Sequence, residues 1–256
     1  MPSFGFVGIG AVFRHGRRLA TWLAIACALG SRDQGVSMIR FGMMTAMAWM
    51  GMANLAASHP HVFVDTGIEV IFDDQGRAEA LRLTWAYDDF FSMLILEDRA
   101  MDPDFDGLLT AEETAAIQGF DMAWDAGYPG DTYALMGGQS LSLSGPSDWT
   151  TTYVDGRLTS THLRRFADPV VIADQPLLVQ VYDSSFYTAY TIAKDTVLTG
   201  GPDCTAQNFA PNREAADAQL LASMNELAGS PDVEGEFPAI GAAYAEEARI
   251  TCAARS

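Results

Sequence analysis

Polar and apolar residues alternate along His61–Phe72, with Val62, Val64, Ile68, Val70 and Phe72 in phase. Asp73-Asp74-Gln75-Gly76 reads as a turn, and Ala78–Tyr87 alternates again through Leu81, Leu83 and Trp85. Together they predict a β-hairpin. The period changes after Asp88. Phe90, Phe91, Leu94 and Ile95 recur at helical spacing, and a second helical pattern runs from Thr110 to Trp124, interrupted at Gly119. Strand patterns return at Tyr133–Leu143, broken by a Gly137-Gly138 turn, and at Trp149–Val154 and Leu158–Phe166 about Asp155-Gly156. Leu177–Tyr182 and Tyr187–Ile192 read as two more strands. Asn212 starts an Ala-rich helix that runs to Leu227. Gly229–Pro238 reads as a linker, Ala239–Ala248 as a short helix, and Arg249–Cys252 as a last strand or tail.

These elements imply an α+β fold. Its core is mainly antiparallel β and sandwich-like, with a helix–loop–helix insert at about 88–125 and a helical carboxyl-terminal region. The periodicity does not give the strand order.

The amino-terminal stretch has another character. Met38-Ile-Arg40 is a basic start, Phe41–Ala53 is uncharged and apolar, and Ala56-Ala57-Ser58 has the small residues of a cleavage site. That order is the pattern of a secretory signal peptide, so residues 1–58 are expected to be a targeting segment and 59–256 one periplasmic domain. Arg14–Arg18 and the apolar Leu19–Gly30 precede a second complete signal, which suggests that translation begins at Met38. A long amino-terminal membrane anchor is the alternative.

The formal net charge is −18, but it is unevenly placed. Residues 59–256 hold 32 of the 33 acids against ten Lys and Arg. Such a body repels nucleic acid and favours cations. Of three cysteines, Cys27 falls in the targeting region. Cys204 and Cys252 remain, an even pair expected to bond in an oxidising compartment. Two thiolate metal ligands are the alternative reading.

The chemistry concentrates in Asp102-Pro-Asp104-Phe-Asp106-Gly107-Leu108-Leu109-Thr110-Ala-Glu112-Glu113. Hard Ca²⁺ takes six to eight oxygens, and the 12-residue EF-hand loop supplies them at fixed places. Asp102, Asp104 and Asp106 stand at positions 1, 3 and 5, Gly107 at 6, the Leu108 carbonyl at 7, Thr110 at 9 and Glu113 at 12. Thr110 and Glu113 also make a capping box, but that motif does not account for three alternate acids followed by glycine. No second hand is present in the sequence, so Leu109 at position 8 is expected to pack on the β core. An affinity on the order of 10⁻⁴ M follows, which fits a structural clip better than a sensor.

His59-Pro60-His61 would open the mature chain. Two imidazoles two residues apart on a strand share a face, which suits Zn²⁺ or Ni²⁺. Help from His162 or Asp183 is expected to complete the set. The other reading is simply the start of a strand. Pro60 lacks the amide N–H that a tripeptide amino-terminal copper or nickel site uses.

Three stretches carry a family resemblance: His59-Pro-His-Val-Phe-Val-Asp65, Thr84-Trp-Ala-Tyr-Asp-Asp-Phe-Phe-Ser92 and Val181-Tyr-Asp-Ser-Ser-Phe-Tyr187. The chain resembles domain-of-unknown-function family 1007 over nearly all of 59–256. The resemblance implies the periplasmic component of a transport system, with an inner-membrane metal permease as partner and a transition metal as cargo. It supplies no catalytic residues. No nucleophile, P-loop or dinucleotide motif stands in the sequence, so no enzymatic activity is expected. The alternative function is a calcium-stabilised β module that binds another protein.

Overall fold

A computed structural model describes residues 60–201, 203–227 and 238–253. The expected targeting segment, residues 1–58, and His59 lie outside the described residues. Ala57–Ser256 form one compact unit.

The expected hairpin forms from β1 (Val62–Phe72) and β2 (Ala78–Tyr87). Asp73 closes its turn, with Oδ1 accepting from the N–H groups of Gln75 and Arg77. Short strands β3 (Thr132–Met136) and β4 (Gln139–Leu141) make a second hairpin, and β5 (Ser147–Val154) and β6 (Arg157–Val170) a third. Then come β7 (Leu177–Val181), β8 (Thr188–Ile192), β9 (Val197–Thr199), β10 (Cys204–Phe209) and β11 (Glu247–Cys252).

Two sheets result. The first runs β5-β6-β2-β1-β8, with β9 also on β1. The second runs β10-β11-β7-β3-β4. All pairs are antiparallel except β1 with β8 and β1 with β9. The fold is therefore mostly β with few helices. Ile68, Val70, Leu81 and Leu83 of the first sheet share a buried cluster with Leu177, Val179, Ala248 and Ile250 of the second. Each buried Leu, Ile or Val side chain there contributes about 1.5–3 kcal/mol of hydrophobic stabilisation.

Register sets what stands side by side on the inner face of the first sheet. Thr66, Trp85 and Ser160 make one row, Ile68, Leu83 and His162 the next, and Val70, Leu81 and Arg164 a third. All nine are buried.

Several elements differ from the sequence reading. The strands read at Leu177–Tyr182 and Tyr187–Ile192 do form, as β7 and β8, and they go to different sheets, because β8 pairs parallel with β1 while β7 lies between β11 and β3. The helical pattern from Thr110 to Trp124 yields only α2 (Ala111–Ala116). Gly119 then turns with φ +66, and a β-carbon there would stand 2.6 Å from the Trp149 ring. At the carboxyl end α3 (Arg213–Glu226) forms from its Asn212 cap. The helix expected over Ala239–Ala248 shortens to α4 (Gly241–Tyr244), since Glu247 onward is taken by β11. The carboxyl-terminal region is thus a mixture of helix and strand. Cys204 and Cys252 face each other across β10 and β11 and are disulfide-bonded.

Candidate metal centre

The insert begins at Asp88, which does two jobs. Oδ1 accepts from Phe91 N–H at 2.8 Å and caps α1 (Asp89–Asp98), while Oδ2 accepts from Phe63 N–H of β1 at 2.8 Å. Ser92 extends the attachment, since its hydroxyl donates to the Asp88 carbonyl and accepts from Leu158 N–H of β6. Asp88→Ala is expected to cost about 1–2 kcal/mol, the usual loss for a capping carboxylate. A urea midpoint equal to wild type would refute that assignment.

Helix α1 does not run straight into the acidic loop. Arg99 closes it and Ala100 turns with φ 52, leaving Met101 as a link. The loop then winds on its own first residue. Asp102 is buried, and its Oδ1 and Oδ2 accept from the N–H groups of Asp106 and Gly107 at 3.0 and 3.1 Å. Asp106 Oδ1 accepts from Leu108 N–H at 2.8 Å. Gly107 has φ +78, as the position-6 turn needs. Carboxylate oxygens of Asp102, Asp104 and Asp106 lie within 4.8 Å of one another.

Glu113 joins the two ends of the loop. Its Oε1 accepts from Asp102 N–H, and Oε2 from Thr110 N–H and Oγ1–H, all within 2.9 Å. The Thr110 backbone bond first, then its hydroxyl and the Asp102 N–H, hold the Glu113 carboxyl below its ordinary range. Thr110 caps α2 in return, completing the capping box. Leu108 is exposed. Leu109 joins a second apolar cluster with Val62, Val64, Trp85, Leu96 and Ile117, so the insert is seated on the first sheet.

The histidines are scattered. His61 is exposed at the start of β1, its ring centroid 4.9 Å from that of Tyr187, and its N–H donates to the Tyr187 carbonyl. Asp183 lies in the preceding loop, where Oδ1 accepts from Ser185 N–H and Oγ–H and Oδ2 from Thr188 N–H. His162 is elsewhere. It is fully buried two strands away from β1, level with Ile68. His61 stands seven residues before Ile68, which is roughly 20 Å along the strand. His61 and His162 therefore do not share one ion, and the expected set loses His162. The burial of that side chain was concealed in the sequence by the two arginines that follow it.

The profile of a family described as "Protein of unknown function (DUF1007)" matches residues 44–252. The chain belongs to that family. No curated protein matches it.

Two features of this DUF1007 chain escaped sequence reasoning. A groove of about 560 Å³ runs along the outer face of the first sheet, flanked by the ion pairs Arg82–Glu69 and Arg157–Asp65 and by Lys194. Its residues come from four separated segments, so no local motif marks it. The second is a buried polar layer between the two apolar clusters. Thr66 Oγ1, Trp85 Nε1, Asp121 Oδ1, Thr132 Oγ1 and both His162 nitrogens are buried there with no hydrogen-bond partner among the described residues. Asp131 stands in the same layer, accepting from the Tyr190 hydroxyl at 2.9 Å. Burial pushes its carboxyl up to about 6, against the pull of hydrogen bonds from Tyr128 and Tyr190.

Proposed function

We propose that this chain is an exported calcium-binding protein in which the loop Asp102–Glu113 is an EF-hand clip set into a sandwich-like β domain. The observation that carries this reading is the convergence of the Asp102, Asp104 and Asp106 carboxylates within 4.8 Å. Three like charges so close repel, and a divalent cation removes that cost. The remaining donors of the template are hard oxygens as well: the Leu108 carbonyl, the Thr110 hydroxyl and Glu113. Glu113 already ties the two ends of the loop together, and its carboxylate would turn from the Asp102 and Thr110 donors to join the three aspartates. The disulfide supports an oxidising compartment, where calcium is abundant.

A ligand bound only by the native state stabilises it by mass action. At a hundredfold excess over the dissociation constant, calcium is expected to add about 2.7 kcal/mol. Asp102→Ala and Glu113→Ala are each expected to abolish that increment. Thermal unfolding with calcium and with chelator measures it. Equal melting temperatures for the wild type under both conditions would sink the clip.

A second reading adds a transition-metal role beside a metal permease in the periplasm. The exposure of His61 next to the loop that carries Asp183 favours it. His59 and His61 are then the Zn²⁺ or Ni²⁺ ligands, with carboxylates rather than His162 completing the set. Titration calorimetry on processed protein and on a His59→Ala, His61→Ala double variant separates this reading from a plain strand start. Identical zinc and nickel isotherms would remove it.

A further inference from the structure

Arg164 is buried to 4% exposure on the inner face of β6. Among the described residues its hydrogen bonds go only to neutral groups. Nε donates to the Ser144 carbonyl, and Nη1 to the Pro129 carbonyl at 3.0 Å. The guanidinium lies over the Trp124 ring, 4.8 Å from its centroid. Among the described residues no carboxylate lies within ion-pair distance of it, and Nη2 donates to no protein group. Buried charges are ordinarily paired, because losing hydration is costly. In a chain with 33 acids, a buried arginine without one is conspicuous.

The side chain does not end in a sealed core. Arg164 lines a pocket of about 180 Å³ between β6 and the β3–β4 hairpin. Thr132 lines it too, and its buried hydroxyl has no hydrogen-bond partner among the described residues. The other walls are mixed. Tyr128 and Ser140 supply hydroxyls, while Pro129, Leu141 and Leu143 are apolar. The approach is shaped for the guanidinium. Gly130 turns with φ +64 against it, and a β-carbon there would stand 2.6 Å from Arg164 Nη1 and 2.3 Å from the Trp124 ring.

We propose that this pocket is a binding site for a small monocarboxylate with a short apolar tail, whose carboxylate pairs with Arg164 and whose tail lies on Pro129, Leu141 and Leu143. A guanidinium has five N–H groups, of which two are engaged by carbonyls, leaving three for an oxyanion. The Thr132 hydroxyl supplies a further donor. Burial pushes the guanidinium down to about 10, so it stays charged at neutral pH, and an arriving anion restores the missing counter-charge. The volume admits a few carbon atoms beyond the carboxylate. The inference is independent of the calcium clip and uses none of its residues.

The test titrates the full processed chain, calcium-saturated, with sodium acetate, butyrate, inorganic phosphate and chloride at equal ionic strength. Indole fluorescence serves as readout, because Trp124 lies against the guanidinium. Butyrate is expected to saturate the signal and to bind about tenfold tighter than acetate through its extra methylenes. Chloride is expected to give no saturable change. Arg164→Gln is expected to weaken butyrate at least tenfold. Should that variant fail to fold, Thr132→Val decides. It removes an unpartnered hydroxyl, so a purely structural threonine leaves butyrate affinity unchanged, whereas a ligand donor weakens it about threefold. Butyrate no different from chloride, phosphate tighter than both carboxylates, or full affinity in a folded Arg164→Gln or Thr132→Val protein each overturns the proposal.

Discussion

Replacing Cys204 and Cys252 together by alanine is expected to lower the unfolding free energy by about 4 kcal/mol. The bond joins residues 48 apart in sequence, and the chain-entropy argument scales with the length of that loop. The loop holds α3, α4 and most of β10 and β11. β10 stands at one end of its sheet, where β11 is its neighbour. Losing the bond therefore acts on an edge strand, held in its sheet by β11 alone. Urea unfolding of the double variant, and of wild type with reductant, measures the effect. Coincident midpoints in all three samples would contradict it.

Acid is expected to weaken the fold through His162. Burial, and then the charge of Arg164, push its imidazole down to about 3. The unfolded chain takes up that proton near 6.5. Above that pH the group's contribution is complete, and it is lost as pH falls toward 3. Between pH 7 and pH 4 the loss is about 3 kcal/mol. Asp131 works in the opposite direction, because its carboxyl is raised to about 6 and is relieved when it protonates. Comparing wild type with His162→Leu cancels the Asp131 contribution. The stability of wild type relative to that variant should fall from pH 7 to pH 4, measured by urea unfolding at each pH. A constant difference would show that His162 takes no part in acid unfolding.

Legibility in the sequence followed the range of the interactions. The β1–β2 hairpin was readable because its alternation and its Asp-rich turn are both local. The capping roles of Thr110 and Asn212 were readable for the same reason. β9 and β10 were missed, since Val197–Thr199 is three residues long and Cys204–Phe209 buries no side chain fully. β8 was seen as a strand but not as the parallel neighbour of β1, because parallel pairing leaves no hairpin signature. The acidic loop could be found from spacing alone, as all its candidate oxygens come from twelve consecutive residues. The His162 layer and the Arg164 pocket could not. Their members meet only through the register of β1, β2 and β6 and through the approach of the β3–β4 hairpin.

The parallel pairing also has a kinetic side. Val62 sits beside Thr188, so the first strand of the domain waits for one of the last parts of the sheet to arrive. Closing so long a loop is slow compared with forming a hairpin. A chain that emerges amino end first makes β1 and β2 early, yet one edge of β1 keeps its N–H and C=O groups open until residues 188–199 follow. During that interval the edge can accept a strand from another copy as readily as its own. The growing chain is therefore most prone to self-association after β2 has formed and before β8 docks, and the interval ends once residues 188–199 have appeared.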